Sequence, residues 1–169
     1  MNLSVRIFLA YFVGVGLAVW FALSTFSAEL VPGTRQSLEE VLVDTANLLA
    51  EIVRTEVEDG QIEVGSFSRS MDRFAQRRLD ARISKYNKRD PSLLVYITNA
   101  EGIVIYDSRG EALGEDYSRW NDVYLTLRGQ YGARTTRQDP DDPNSSIMYV
   151  AAPITSQGHI IGTVTVGKP

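Results

Sequence analysis

Between Tyr106 and Tyr149 the chain concentrates aromatic, arginine and carboxylate side chains in a combination typical of a small-molecule pocket. Such pockets combine aromatic walls with a few converging polar groups. An arginine beside tyrosine hydroxyls suits a small anionic ligand, because its planar fork donates paired hydrogen bonds to a carboxylate or phosphate. The alternative is that the larger side chains simply fill the core. The candidate ligand-binding residues are Tyr106, Asp107, Tyr117, Arg119, Trp120, Arg134, Met148 and Tyr149.

Evidence for catalysis or for a metal site is weak. The chain has no cysteine and a single histidine, His159, which lies at the start of a predicted strand. No nucleophile motif and no phosphate-binding glycine loop is present, so we expect no catalytic residue and no cofactor. The loop Asp139–Asn144 carries oxygen donors of the kind that Ca²⁺ or Mg²⁺ prefers. Its spacing is not that of an EF-hand, so we expect a solvated loop and no metal, with cation binding as the alternative.

The amino-terminal run Ile7–Phe26 contains no charged residue. A helix of about 20 residues spans roughly 30 Å, the thickness of a bilayer core, so the run predicts a transmembrane helix. A signal peptide is the alternative, but those apolar segments are usually shorter and end in a small-residue cleavage site. Because Arg6 precedes the run and Glu29 follows it, we expect residues 1–6 in the cytoplasm and residues 29–169 outside. The corresponding location is a bacterial inner membrane, crossed once by this chain, with the body in the periplasm.

The charge of the chain limits its partners. Its net charge is −4 at pH 7, and all of the acidic residues follow the apolar run. A mildly acidic body argues against nucleic acid and against an anionic membrane surface as a binding partner.

Apolar periodicity predicts three helices after the membrane run. The first begins at Thr34, after Pro32-Gly33 breaks the membrane helix or marks its exit, and stops at Asp59-Gly60. We expect its apolar stripe to pack on its own domain; alternatively, the part near the membrane pairs with a second copy of the chain. Ser66 is a candidate N-cap for the second helix, Phe67–Tyr86. The third is Asp116–Gln130.

Strand patterns alternate with these helices. A hairpin is predicted from Leu93–Asn99 and Ile103–Ser108, and three further strands from Ala133–Arg137, Ser146–Ile154 and His159–Val166. The fold class is therefore α+β, an antiparallel sheet of about five strands with a long amino-terminal helix, preceded by one transmembrane helix. This outline is similar to PAS-like and Cache-like sensor modules.

The stretch DYSRWNDVYLTLRGQYGAR at Asp116–Arg134, with SSIMYVAAPI, the closing VGKP and the early PGTRQSLEEVLVDTANLLAE, resembles the periplasmic sensor region of CreC-type sensor histidine kinases. The resemblance implies an inner-membrane receptor of a two-component system, and we expect this receptor to be a homodimer. A second membrane helix and a kinase that phosphorylates a response regulator would then follow Pro169, and this fragment would not itself be an enzyme. A module that binds a partner protein of the envelope, or the sensor domain of a chemoreceptor, is the alternative.

Overall fold

The computed structural model describes residues 3–83, 86–142 and 145–169, with only the backbone described for residues 25–35 and 86. The chain divides into two compact units, Met1–Leu38 and Glu39–Pro169.

The first unit consists of the beginning of helix α1 (Leu3–Glu58). Its segment Leu3–Ser24 is long and apolar enough to cross a membrane. The break expected at Pro32-Gly33 is wrong, because both residues lie within the helix. A proline removes one backbone hydrogen bond but does not by itself end a helix.

The remainder of α1 belongs to the second unit and contributes one face to the core. Leu42, Ala46, Ala50 and Val53 recur every three or four residues and are at most 5% exposed. The helix ends where the sequence predicts, because Gly60 adopts a positive φ of 65° two residues after Glu58.

Helix α2 (Ser66–Ala75) is much shorter than predicted. The chain after it forms a small hairpin, β1 (Ala81–Ile83) with β2 (Tyr86–Lys88), so Phe67–Tyr86 is not one helix. The N-cap is Gly65 rather than Ser66. The first free N–H groups of α2 are instead bound by the carboxylate of Glu56 on α1, which accepts from Ser66 N at 2.8 Å.

The main sheet has five antiparallel strands in the order β4-β3-β7-β6-β5. Their bounds are β3 (Leu94–Asn99), β4 (Val104–Asp107), β5 (Gly132–Arg137), β6 (Ser146–Ser156) and β7 (His159–Lys168). All five were predicted to within a few residues. The β6–β7 hairpin closes through Gln157 and Gly158, whose positive φ values of 48° and 82° match the right-handed twist of the strands. The α+β fold class is confirmed.

Helix α3 (Asn121–Thr126) lies between β4 and β5 and is shorter than the predicted Asp116–Gln130. Asp116 forms an isolated bridge with Ile103 and is therefore extended, which delays the start of the helix. The segment after β4, including α3, packs on one face of the sheet, where Ala112 and Val123 cluster with Val104 of β4 and Tyr96 of β3.

Candidate functional site

A cavity of about 440 Å³ lies between that face of the sheet and the segment that joins β4 to α3. Its size is within the range of small-molecule sites. The cavity is lined by Leu94, Tyr96, Asp107, Arg109, Glu111, Ala112, Glu115, Tyr117, Trp120, Arg134, Thr136, Gln138 and Tyr149.

Strand alternation decides which side chains reach the cavity, because successive residues of a strand point to opposite faces. Arg134 on β5 pairs with Tyr149 on β6, and Tyr149 pairs with Gly167 on β7. A Cβ at Gly167 would lie 2.6 Å from the ring of Tyr149. The glycine therefore leaves the space in which this ring lies over the sheet.

Aromatic rings enclose the guanidinium of Arg134. Its Cζ lies 3.9 Å from the ring centroid of Trp120 and 4.2 Å from that of Tyr149. Trp120 in turn stacks on Tyr117, with centroids 4.2 Å apart and an interplanar angle of 11°. These two cation–π contacts hold the guanidinium against rings that also form the wall of the cavity.

Beneath these rings, Asp122 of α3 anchors the arginine. Asp122 is fully buried and accepts a hydrogen bond from Arg134 Nε at 2.9 Å. Its second oxygen accepts from the hydroxyl of Tyr96, and Arg134 also donates to the hydroxyl of Thr136. A buried carboxylate with two such donors is satisfied, so the network fixes the orientation of Arg134.

The protonation states of this network are stable near neutral pH. Burial raises the pKa of Tyr96 well above its ordinary value, and the neighbouring Asp122 raises it further. For Arg134 burial acts to lower the pKa, but Asp122 and Tyr96 outweigh burial and raise the pKa. The arginine therefore stays charged and the tyrosine stays protonated.

The loop after β4 forms the rim of the cavity. The carboxylate of Asp107 accepts hydrogen bonds from three backbone N–H groups, those of Arg109 at 3.3 Å, Glu111 at 2.9 Å and Ala112 at 3.0 Å. At the outer edge Arg109 and Glu111 form an ion pair at 2.9 Å. Asp107 thus holds the rim in place by folding the loop back on itself.

Five of the eight candidate residues from the sequence line this cavity, namely Asp107, Tyr117, Trp120, Arg134 and Tyr149. The other three lie elsewhere. Tyr106 and Met148 alternate with Asp107 and Tyr149 and so lie on the opposite face of the sheet. Tyr106 packs edge-on against Phe67 of α2, with centroids 5.4 Å apart.

Arg119 lines a separate open groove with Arg128 and Tyr124 rather than the cavity. Sequence reasoning missed Tyr96, Asp122 and Thr136, the partners of Arg134. The sequence signal that could have identified this network was Asp122, an acidic residue beside the apolar Val123 in a short helix that precedes the strand with Arg134.

His159 lies exposed at the start of β7. Among the side chains that the structure describes, no group of three His, Cys, Asp or Glu is arranged to hold a metal ion. Pro143 and Asn144 of the acidic loop lie outside the described residues.

No protein-family model matches the chain. The chain is 47% identical over 169 residues to Sensor protein CreC of Escherichia coli (strain K12). The aligned region covers 100% of this chain and 36% of that protein. Among solved structures it is similar to the sensor domain of the histidine kinase DctB of V. cholerae, with a TM-score of 0.56 and 14% identity. That similarity covers 94% of this chain and 57% of the other. The ligand-binding domain of the Campylobacter jejuni chemoreceptor Tlp3 has a TM-score of only 0.34 and 20% identity, over 83% of this chain and 63% of that domain.

The chain spans about a third of the length of its curated relative. Identity at this level over every residue of the chain indicates common ancestry, and the DctB match supports the fold independently. The resemblance to CreC-type sensor proteins is therefore confirmed over the full length of the chain, and its body has the fold of a histidine-kinase sensor domain.

Proposed function

We propose that residues 29–169 form the extracytoplasmic signal-sensing domain of a membrane-bound sensor histidine kinase, anchored by the apolar amino-terminal helix at residues 7–26. The observation that carries this proposal is the arginine cavity, built on a sensor-domain fold. A guanidinium fixed from beneath by Asp122 and enclosed by Trp120 and Tyr149 is organised before any ligand arrives. Preorganisation of this kind lowers the cost of ordering the site on binding.

Arg134 retains donors for a ligand. Its guanidinium carries five N–H groups, of which three are used by Asp122, Thr136 and, at 3.4 Å, the hydroxyl of Tyr96. The remaining N–H groups suit an anionic group such as a carboxylate. The ligand is thus a small molecule with an anionic group and an apolar part that fits against the aromatic wall.

Signal transmission would pass through α1. Tyr131 lies between α3 and β5 and donates a hydrogen bond to Glu39 of α1, at the start of the second unit. Glu56, near the end of α1, binds the amino terminus of α2. A ligand that binds one arrangement of α3 and β5 better than another shifts the population of both. Through Tyr131 and Glu39 the same shift reaches the helix that leads toward the membrane.

The receptor acts as a homodimer. Val41, Leu48 and Ile52 are 55–62% exposed and lie on one stripe of α1, offset from its buried face. Thr45 lies on the same stripe, and its hydroxyl is satisfied within the helix by Val41 O at 2.6 Å. Alternating spacings of three and four residues suit the seam of a parallel helix pair. A second copy anchored in the same membrane presents the same stripe from the same side.

The test uses the whole receptor that contains this chain, with signal-dependent kinase output as the readout. Arg134→Lys keeps the charge but loses the planar fork, so the signal response should fall at least about tenfold. Arg137→Lys is the matched control, because Arg137 lies exposed at the end of the same strand and outside the cavity. An Arg134→Lys variant that folds and responds normally would contradict the proposal.

A second variant tests transmission. Proline at Leu49 removes a backbone hydrogen bond from the packed part of α1 and clashes with the preceding turn, which kinks the helix there at a cost of about 3 kcal/mol or more. We expect ligand binding to persist while kinase output no longer follows it. Unchanged output in a correctly folded Leu49→Pro receptor would show that α1 does not carry the signal.

A further inference from the structure

The charges of the cavity define the ligand more narrowly than the arginine does alone. Two cationic and three acidic side chains line it, and Asp122 lies buried against the arginine. Carboxylates therefore outnumber guanidinium groups two to one in and beneath the cavity. The lining groups are Arg109, Arg134, Asp107, Glu111 and Glu115.

Both cations already have partners. Arg134 is paired with Asp122 at 2.9 Å, where the two side chains are 13% and 0% exposed, and Arg109 is paired with Glu111 at 2.9 Å. The two charges of each pair largely cancel, so each pair presents little net charge to a ligand. Arg134 therefore offers directed N–H groups without offering a net positive charge.

The acidic charge that remains comes from Asp107 and Glu115. Asp107 accepts three backbone hydrogen bonds, which orient its carboxylate but do not cancel its charge. The carboxylate of Glu115 forms no ion pair with any residue that the structure describes. Both charges act on the hydroxyl of Tyr117, whose pKa is raised mainly by burial and then by Asp107, with Glu115 adding a smaller effect. The two carboxylates thus act on the same part of the cavity as the aromatic wall.

We infer that the cavity selects a zwitterion, in which an anionic group binds Arg134 and a positively charged group lies near Asp107 and Glu115, against the rings of Tyr117 and Trp120. This inference rests on the proposed sensing function. A second negative charge on the ligand would face unpaired carboxylates, which repel it. A positive group is attracted both by these carboxylates and by the aromatic faces.

The test compares three probes with similar four-carbon chains and different end groups: succinate, γ-aminobutyrate and putrescine. The full chain in detergent carries Trp20→Phe, which leaves Trp120 as the only tryptophan and as a fluorescent reporter inside the site. We expect γ-aminobutyrate to quench or shift Trp120 emission at the lowest concentration, putrescine to follow, and succinate to be weakest. Succinate binding as tightly as γ-aminobutyrate, or no response to both amine probes at millimolar concentration, would overturn the inference.

Glu115→Gln removes one carboxylate and keeps the size of the side chain. It should reduce the preference for γ-aminobutyrate over succinate by about threefold to tenfold, the range for a charge near the rim. Glu101→Gln is the matched control, because Glu101 lies outside the cavity and should leave the preference unchanged. An unchanged preference in Glu115→Gln would also overturn the inference.

Arg134→Lys separates the two proposals. Succinate that binds at least as tightly as γ-aminobutyrate, and that loses this binding in Arg134→Lys, would refute the zwitterion and leave the sensing function standing. Probe binding that is unaffected by Arg134→Lys would count against the cavity as the sensing site.

Discussion

Removing the carboxylate of Asp122 should destabilise the domain severely. Asp122 is fully buried, and it binds Arg134 Nε at 2.9 Å and the hydroxyl of Tyr96. In Asp122→Ala the guanidinium remains in a site where it is 13% exposed and has lost its counter-charge. Breaking a buried ion pair in this way costs about 3–5 kcal/mol. For a domain of this size that corresponds to a fall in melting temperature of roughly ten degrees or more.

The assay is thermal and denaturant unfolding of the full chain in detergent, followed by far-ultraviolet circular dichroism. Asp44→Ala is the control, because Asp44 is exposed on α1 and forms no ion pair with a described residue. We expect that control to change stability by less than about 0.5 kcal/mol.

The double variant Asp122→Ala/Arg134→Met tests the cause. With both charges removed, no charge remains buried without a partner, so the double variant should be more stable than Asp122→Ala alone. A loss below about 1 kcal/mol for Asp122→Ala, or a double variant that is less stable than this single one, would refute the reasoning.

Burial, together with Asp72 and Asp107, raises the pKa of Tyr106 to about 12, so its contribution to stability is intact below pH 10 and is lost as the pH rises toward 12. An ultraviolet titration should show several late-ionising tyrosines, Tyr96 and Tyr106 among them, and one fewer of them in Tyr106→Phe; ionisation of all tyrosines near pH 10 would contradict this. In Gly132→Ala the new Cβ would fall on the carbonyl oxygen of Asp122, so we expect a loss of about 1–3 kcal/mol in urea unfolding. A variant with unchanged stability would mean that α3 does not contact β5 closely at this position. Leu48→Asp places a charge in the exposed stripe of α1 and should abolish crosslinking between copies in membranes while the domain still melts normally; persistent crosslinking would place the interface elsewhere.

The sheet was predictable because its signals are local. Alternation and β-branched residues mark β3, β6 and β7, and turn residues such as Gln157-Gly158 separate them. The predicted lengths of the two short helices, α2 and α3, were too great for a physical reason. Their helical periodicity continues in the sequence, but tertiary pairing takes the flanking residues, as with Asp116 opposite Ile103.

The sequence identified cavity-lining side chains that are recognisable by residue type, such as Trp120, Arg134 and Tyr149. It did not reach Asp122 and Tyr96, which lie 26 residues apart and meet only when α3 closes over β3. The same limit affected Tyr106 and Met148. Each has a suitable side chain, but its face depends on a strand register that the sequence does not specify to one residue.

The location of the body is the premise on which the sensing function depends, and single-cysteine accessibility tests it most directly. The chain has no cysteine, so Asp141→Cys in the exposed loop after β5 introduces one unique thiol. We predict that a membrane-impermeant maleimide labels this thiol in spheroplasts with an intact inner membrane. Labelling that appears only after the inner membrane is lysed would place the loop in the cytoplasm and contradict an extracytoplasmic receptor.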